Sequence, residues 1–200
     1  MLTFILHTTR MGFLSILHNI KQLQNELRIL TIGLDNSGKT TTIKSLLNQN
    51  LDEIEPTLGF SIYSIDLAGF HLNIWDVGGQ KTIRTYWRNY YENTDALVWV
   101  VDSADRRRLN LCRQALREVL QTERLQGAPL LVLANKQDVE GAMTSAEVKE
   151  FLGTFENRKF EVFGCSAMHK TGVKEAFEWL MQVAGERKEV NVADDLELIY

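Results

Sequence analysis

Proline is nearly absent. Pro56 and Pro129 are the two in 200 residues, which leaves little material for an extended linker and favours one large domain. Cysteine is as rare: Cys112 and Cys165 sit in no metal-ligand spacing and form no disulfide framework, which suits a reducing compartment. No stretch approaches the roughly 18 apolar residues of a membrane-spanning helix. Charge of one sign is also lacking. With 22 basic against 26 acidic residues the formal charge is −4, so no broad basic face for nucleic acid is expected. What is present is ample core material, 44% hydrophobic against 24% charged, the balance of a folded chain.

The ends differ from the middle. The opening MLTFILHTTR is too short an apolar stretch for a secretory signal and reads as an added tag or an upstream start over residues 1–10. Within residues 11–27, Phe13, Leu14, Ile16, Leu17, Ile20, Leu23 and Leu27 recur at three- and four-residue steps, the spacing of an amphipathic helix. Such a helix packs on the domain or faces a membrane or partner. Its polar face, with His18 and Lys21, is too mildly basic for strong membrane binding alone. Residues 28–185 alternate. Short β-rich runs are expected at Arg28–Gly33, Phe60–Leu67, Phe70–Asp76, Ala96–Asp102, Leu130–Asn135 and Lys159–Cys165. Helical stretches are expected at Lys39–Asn48, around Cys112–Leu120, and at Val173–Ala184. The pattern predicts an α/β domain: a mostly parallel six-stranded sheet with helices on both faces. A hairpin turning at Ala68-Gly69 supplies one antiparallel edge strand. Residues 186–200 hold five acids (Glu186, Glu189, Asp194, Asp195, Glu197) against Arg187 and Lys188, and read as a solvated, disordered tail. The chain ends in no C-a-a-X box.

The strongest chemical signal is GLDNSGKT, Gly33–Thr40, which follows a strand and opens a helix. This is the context that the G-x-x-x-x-G-K-[ST] phosphate loop requires. Gly33 and Gly38 let the backbone turn its N–H groups onto phosphate oxygens, joined by those of Asp35, Asn36, Ser37 and Thr41. Lys39 brings a cation to the outer phosphates, the Thr40 hydroxyl suits Mg²⁺, and the helix N-terminus adds partial positive charge. DVGGQ, Asp76–Gln80, ends an apolar strand. Asp76 suits Mg²⁺ through a water, Gly79 offers a backbone N–H to a terminal phosphate, and Gln80 suits an attacking water. NKQD, Asn135–Asp138, follows a buried strand. A buried carboxylate at Asp138 would accept from the N1–H and 2-amino groups of guanine and be left unpaired by adenine. Asn135 suits N7, and the Lys136 stem suits the ring face. In CSA, Cys165–Ala167, the Ala167 N–H would meet guanine O6, with Ser166 a further nucleotide-binding candidate.

Together these residues resemble the small GTPases over roughly Leu27–Ala184, and within them the Arf branch. The marks are GLDNSGKT with Asp35, PTLGF (Pro56–Phe60), WDVGGQ (Trp75–Gln80), WRNYY (Trp87–Tyr91), VVDSADR (Val100–Arg106) and the N-terminal amphipathic helix. The start MGFLSIL and the spacing from PTLGF to WDVGGQK resemble the Arf-like-two type most, with the Arf-like-three type next. The resemblance implies the P-loop small-GTPase fold, GTP and GDP with Mg²⁺ as cofactors, and slow hydrolysis unless a GTPase-activating protein helps. It makes Thr57 a further Mg²⁺ ligand and Gln80 the catalytic residue. It implies a β-hairpin that slides by two residues between nucleotide states and releases the N-terminal helix. It also implies an effector surface of Phe60, Trp75, Trp87 and Tyr90. Ile16 stands where a myristoylation signal needs Ser or Thr, so no myristate is expected. Expected partners are a GTPase-activating protein, an exchange factor, and effectors such as a prenyl-binding carrier and a tubulin-folding cofactor. A weak membrane contact through the N-terminal helix is also implied. A monomer is expected, in the cytoplasm and associated with the cytoskeleton, binding no nucleic acid. Release of ciliary lipidated cargo and vesicle traffic are the alternative cellular roles. Two other chemistries compete with this reading: a P-loop ATPase or nucleotide kinase, and a module that binds nucleotide without hydrolysis. Arg84 and Arg88, in the helical stretch after DVGGQ, read as surface residues.

Overall fold

A computed structural model describes residues 25–155 and 157–197. Six strands form one sheet in the order β2-β3-β1-β4-β5-β6: β1 (Glu26–Ile32), β2 (Phe60–Leu67), β3 (Phe70–Val77), β4 (Ala96–Asp102), β5 (Leu130–Asn135) and β6 (Phe160–Gly164). All pairs are parallel except β2 with β3. β4 and β5 are apolar throughout and buried on both faces, as parallel strands sandwiched between helices must be. Five α-helices occur among the described residues: α1 (Lys39–Leu46), α2 (Lys81–Arg84), α3 (Leu109–Leu120), α4 (Ser145–Leu152) and α5 (Val173–Glu197).

The pleat sorts the core into two halves. On one face Leu30, Leu97, Trp99 and Val132 meet Leu116 and Val119 of α3 and Val148 and Leu152 of α4. On the other, Ile29, Leu72, Val98 and Leu131 meet Ile43 of α1 and Phe177, Leu180 and Met181 of α5. Each such side chain contributes roughly 1.5–3 kcal/mol on burial.

The β2–β3 hairpin turns at Ala68 (φ 48°) and Gly69 (φ 86°), with Leu67 paired to Phe70. Positive φ at both central residues fits the twist of a two-residue hairpin. Beyond the turn, Phe70 seats on α5 at Gly185, where an added Cβ would come within 2.7 Å of the ring.

Two boundaries differ from expectation. β1 begins at Glu26 and pairs that residue with His71, so a helix cannot run through Leu27. The rest of the expected amphipathic helix, residues 1–10 and residues 198–200 lie outside the described residues. At the other end, helix continues through Glu197, into the segment read as a disordered tail. Arg187 and Lys188 are held by the domain and not solvated: Arg187 donates to the Asp95 carbonyl at 3.3 Å and Lys188 pairs with the Asp95 carboxylate at 3.3 Å.

β1 pairs with β3 on one side and β4 on the other. The order therefore reverses at β1, and the crevice beyond the carboxyl ends of the strands at that point is where such sheets bind ligands.

Candidate functional site

The motifs converge at that crevice. Gly33–Thr40 leaves the end of β1, Asp76–Gln80 the end of β3, Asn135–Asp138 the end of β5, and Cys165–Ala167 follows β6. A cavity of about 340 Å³ lies between the first two, lined by Asp35, Asn36, Gly38, Lys39, Thr40 and Thr41, by Ile54–Thr57, and by Gly78, Gly79 and Gln80.

Close backbone approach explains the glycines. Gly38 caps α1 at φ 89°, and a Cβ there would meet the Asn135 side-chain nitrogen at 2.3 Å. A Cβ on Gly79 would meet the Gly33 carbonyl at 2.3 Å and the Asp35 nitrogen at 2.5 Å. The DVGGQ turn thus rests directly on the phosphate loop. Lys39 is buried, and its ammonium donates to the Leu34 carbonyl at 3.0 Å. Burial pulls its pKa down to about 8, although Asp76 and Asp35 act to raise it.

Three oxygens meet beside Lys39. The Thr40 hydroxyl donates to Asp76 Oδ2 at 2.6 Å and lies 2.8 Å from the Thr57 hydroxyl, which itself donates to Asp76 Oδ2 at 3.2 Å. The other oxygen, Asp76 Oδ1, is buried and has no hydrogen-bond partner among the described residues. Burial raises the Asp76 pKa, against hydrogen bonds from Thr40 and Thr57 and the charge of Lys39. Two hydroxyls and an under-satisfied carboxylate form an oxygen-only set that fits a hard cation such as Mg²⁺, which keeps waters and substrate phosphates as its remaining ligands. No group of three or more His, Cys, Asp or Glu side chains suited to a metal occurs among the described residues. Gln80 precedes α2 in extended conformation and lines the same cavity.

The second half of the crevice is tied to the first through Asn135. This buried side chain donates from Nδ2 to the Ser37 carbonyl at 2.9 Å and accepts at Oδ1 from the Ala167 N–H at 3.0 Å. Both groups assigned to guanine from sequence are thus engaged with each other. Asp138 is exposed, not buried, because the loop after β5 turns it outward. Its carboxylate accepts from the Ser166 hydroxyl at 2.5 Å, and this bond, ahead of the opposing effect of burial, lowers its pKa. Asp138 therefore stands ionised and open to an approaching base edge. Lys136, at φ 68°, has its ammonium held 2.7 Å from Asp102, which lies at the end of β4.

Two further residues depart from expectation. Trp87 does not join an aromatic surface. It is 3% exposed, donates to the Gly78 carbonyl at 2.9 Å and meets Trp99 edge-on, because an indole placed beneath the DVGG turn both fills the core and satisfies that carbonyl. Phe60, Trp75 and Tyr90 do form a cluster, with ring centroids 5.3–5.9 Å apart. Arg84 is not a surface residue either: only 18% of its side chain is exposed, and it pairs with Asp35 at 2.9 Å. Arg108 takes the other Asp35 oxygen at 3.0 Å. Burial works to raise the Asp35 pKa, but Arg108 and Arg84 outweigh it and hold the carboxyl low. The sequence reading gives Asp102 no role, although its place at the end of a buried strand beside NKQD is a usable signal.

The ADP-ribosylation factor family matches residues 13–184. The chain belongs to the Arf family of small GTPases. It is 51% identical over 180 residues to ADP-ribosylation factor-like protein 2 of Arabidopsis thaliana, covering 88% of this chain and 97% of that protein. Against the protein of the same name in Drosophila melanogaster it is 50% identical over 179 residues, with 88% and 97% covered. ADP-ribosylation factor-like protein 3 of Chlamydomonas reinhardtii is 48% identical over 174 residues, covering 86% of this chain and 98% of that protein. Among solved structures, the Arl6 BBS3 small GTPase from Trypanosoma brucei with bound nucleotide analogue GppNp superposes with a TM-score of 0.74. It is 34% identical, covering 80% of this chain and 98% of that one. As an Arf-family member this protein is a GTP hydrolase that binds GTP and GDP with Mg²⁺, and the ATPase and nucleotide-kinase readings fall away. Activating proteins, exchange factors and effectors are the partner classes of the family.

Proposed function

We propose that this Arf-family GTPase is a two-state switch acting in tubulin folding and in releasing lipidated cargo from carriers, through a tubulin-folding cofactor and a prenyl-binding carrier. Support comes from the roughly half-identical relatives named ADP-ribosylation factor-like protein 2 in three organisms and from the roles that resemblance implies. Work in the cytoplasm, near microtubules, follows from the same reading. The observation that carries the nucleotide assignment is the meeting of the Thr40, Thr57 and Asp76 oxygens below the glycine cradle.

In this reading Thr40 and Thr57 would ligate Mg²⁺ directly and Asp76 would do so through water. When bound, the ion neutralises phosphate charge. The backbone of Gly33–Thr41 and the Lys39 ammonium would hold the phosphates, with the Gly79 N–H offered to the terminal one. Gln80 orients the attacking water. Asp138, steadied by Ser166, reads the two donors of guanine, and Asn135, Lys136 and Ala167 frame the base. Phe60, Trp75 and Tyr90 receive effectors.

Two substitutions test this. Asp138→Asn removes an ionised acceptor of two hydrogen bonds, each worth about 1.5–3 kcal/mol. GTP and GDP affinity should fall at least tenfold while the circular dichroism spectrum stays that of the parent. Gln80→Leu should retain nucleotide and slow single-turnover hydrolysis. Unchanged GTP affinity in the first removes the base assignment, and unchanged hydrolysis in the second removes Gln80 from the chemistry. For the cellular role, GTP-loaded protein should displace a prenylated peptide from a prenyl-binding carrier and GDP-loaded protein should not. Equal displacement by both forms would sink that role.

A further inference from the structure

We propose that Arg84 is a positioning residue for GTP hydrolysis, fixing the Gly79–Gln80 peptide against the phosphate loop and through it the Gln80 side chain. This rests on the reading of Gln80 as the residue that orients the water.

The guanidinium bridges two segments that no backbone ladder joins. Its Nε donates to the Gly79 carbonyl at 2.7 Å and its Nη2 to Asp35 Oδ1 at 2.9 Å. The Gly79 carbonyl belongs to the peptide bond that enters Gln80. Holding that oxygen fixes the peptide plane that enters Gln80, and once the plane that leaves Gln80 is fixed as well the direction of its Cα–Cβ bond is set. From the other side, the Arg84 N–H donates to the Gln80 carbonyl at 3.1 Å within the first turn of α2. Gln80 is therefore gripped on both flanking peptides by one residue a turn away.

The far end of the grip is firm. Asp35 lies in the phosphate loop, and Arg108 holds it by the remaining carboxylate oxygen at 3.0 Å and by its carbonyl at 3.2 Å. Arg108 is itself fastened by Asp105 at 2.6 Å. The chain Asp105–Arg108–Asp35–Arg84–Gly79 thus refers Gln80 to the loop that holds the phosphates, where errors near 1 Å cost about a hundredfold in rate. The planar fork of arginine holds its donors in a fixed geometry toward both acceptors, whereas a lysine head is a point charge that imposes no such orientation.

The experiment compares the parent with Arg84→Met, Arg84→Lys, Gln80→Leu and the Arg84→Met/Gln80→Leu double variant. Single-turnover GTP hydrolysis, GDP affinity, and amide hydrogen exchange over residues 79–84 with a non-hydrolysable GTP analogue bound are read for each. Hydrolysis should fall about ten- to a hundredfold in Arg84→Met and in Arg84→Lys, with GDP affinity near the parent's and exchange across 79–84 accelerated. In the double variant, hydrolysis should stay within about twofold of Gln80→Leu alone, since the effect passes through Gln80. Parent-like hydrolysis or exchange in Arg84→Met, full rescue by lysine, or losses that multiply in the double variant would each overturn the proposal. If Gln80→Leu itself hydrolyses at the parent's rate, the reading of Gln80 fails instead.

Discussion

Cys112 and Cys165 show how a single side chain reports its surroundings. Both are buried and free. Burial pushes the Cys112 thiol up to about 11, and it accepts a hydrogen bond from the Trp99 indole. Burial and the neighbouring Asp138 charge push Cys165 up to about 12. The thiolate is the reactive form. Neither cysteine should therefore react with an aromatic disulfide reagent at pH 7.5 in the folded protein, and both should react after unfolding. Titration of thiols with and without denaturant checks this. The folded state keeps both protons while the unfolded thiols ionise near pH 8.5. The cysteine contribution is therefore intact below that value and is lost progressively as the pH rises toward 11 and 12.

Within elements, two aromatic side chains three residues apart separate packing from recognition. Trp87 and Tyr90 share one short 3₁₀ turn. Trp87→Ala should destabilise the fold by about 3–5 kcal/mol, the cost of a large core truncation, read as a lowered urea midpoint. Tyr90→Ala removes a half-exposed ring from the Phe60–Trp75 cluster and should lose much less stability while weakening partner capture by GTP-loaded protein. Equal destabilisation by the two would make the whole cluster core. Elements whose signal is local were legible in the chain: the all-apolar β4 and β5, the phosphate loop between β1 and α1, and the hairpin at Ala68-Gly69. Other features depend on what a side chain meets far away. Nothing near Arg84 announces Asp35, 49 residues earlier. Trp87 looked like its aromatic neighbours because depth depends on a carbonyl at Gly78 and a ring at Trp99. Helix α4 is not among the expected helices, although Thr144 and Glu147 form a reciprocal cap at its start, a pattern readable from T-x-x-E.

For the whole molecule, the crevice concentrates buried polar groups at one end of the sheet. Asp76 Oδ1 and Ser37 Oγ are buried without partners among the described residues, and Lys39 is largely desolvated. Ligands that satisfy such groups bind the folded state alone and stabilise it by mass action, about 2.7 kcal/mol at a hundredfold excess over Kd. For a chain of this size that corresponds to roughly 5–10 °C in Tm. Adding GDP with Mg²⁺ should raise the melting temperature by this order, and chelating the ion should reverse part of the gain. A melting temperature indifferent to both would mean that the folded state does not bind GDP with Mg²⁺ at that concentration, against the site assignment.

Asn135 gives the crevice a kinetic character. One carboxamide is fastened to the loop that would hold phosphate and to the loop that would frame the base, so neither half can loosen without disturbing the other. Guanosine alone and pyrophosphate alone should bind far more weakly than a division of the GDP affinity between them suggests. Nucleotide should leave in a single concerted escape whose rate one exponential describes, and Asn135→Ala should split that escape into two phases.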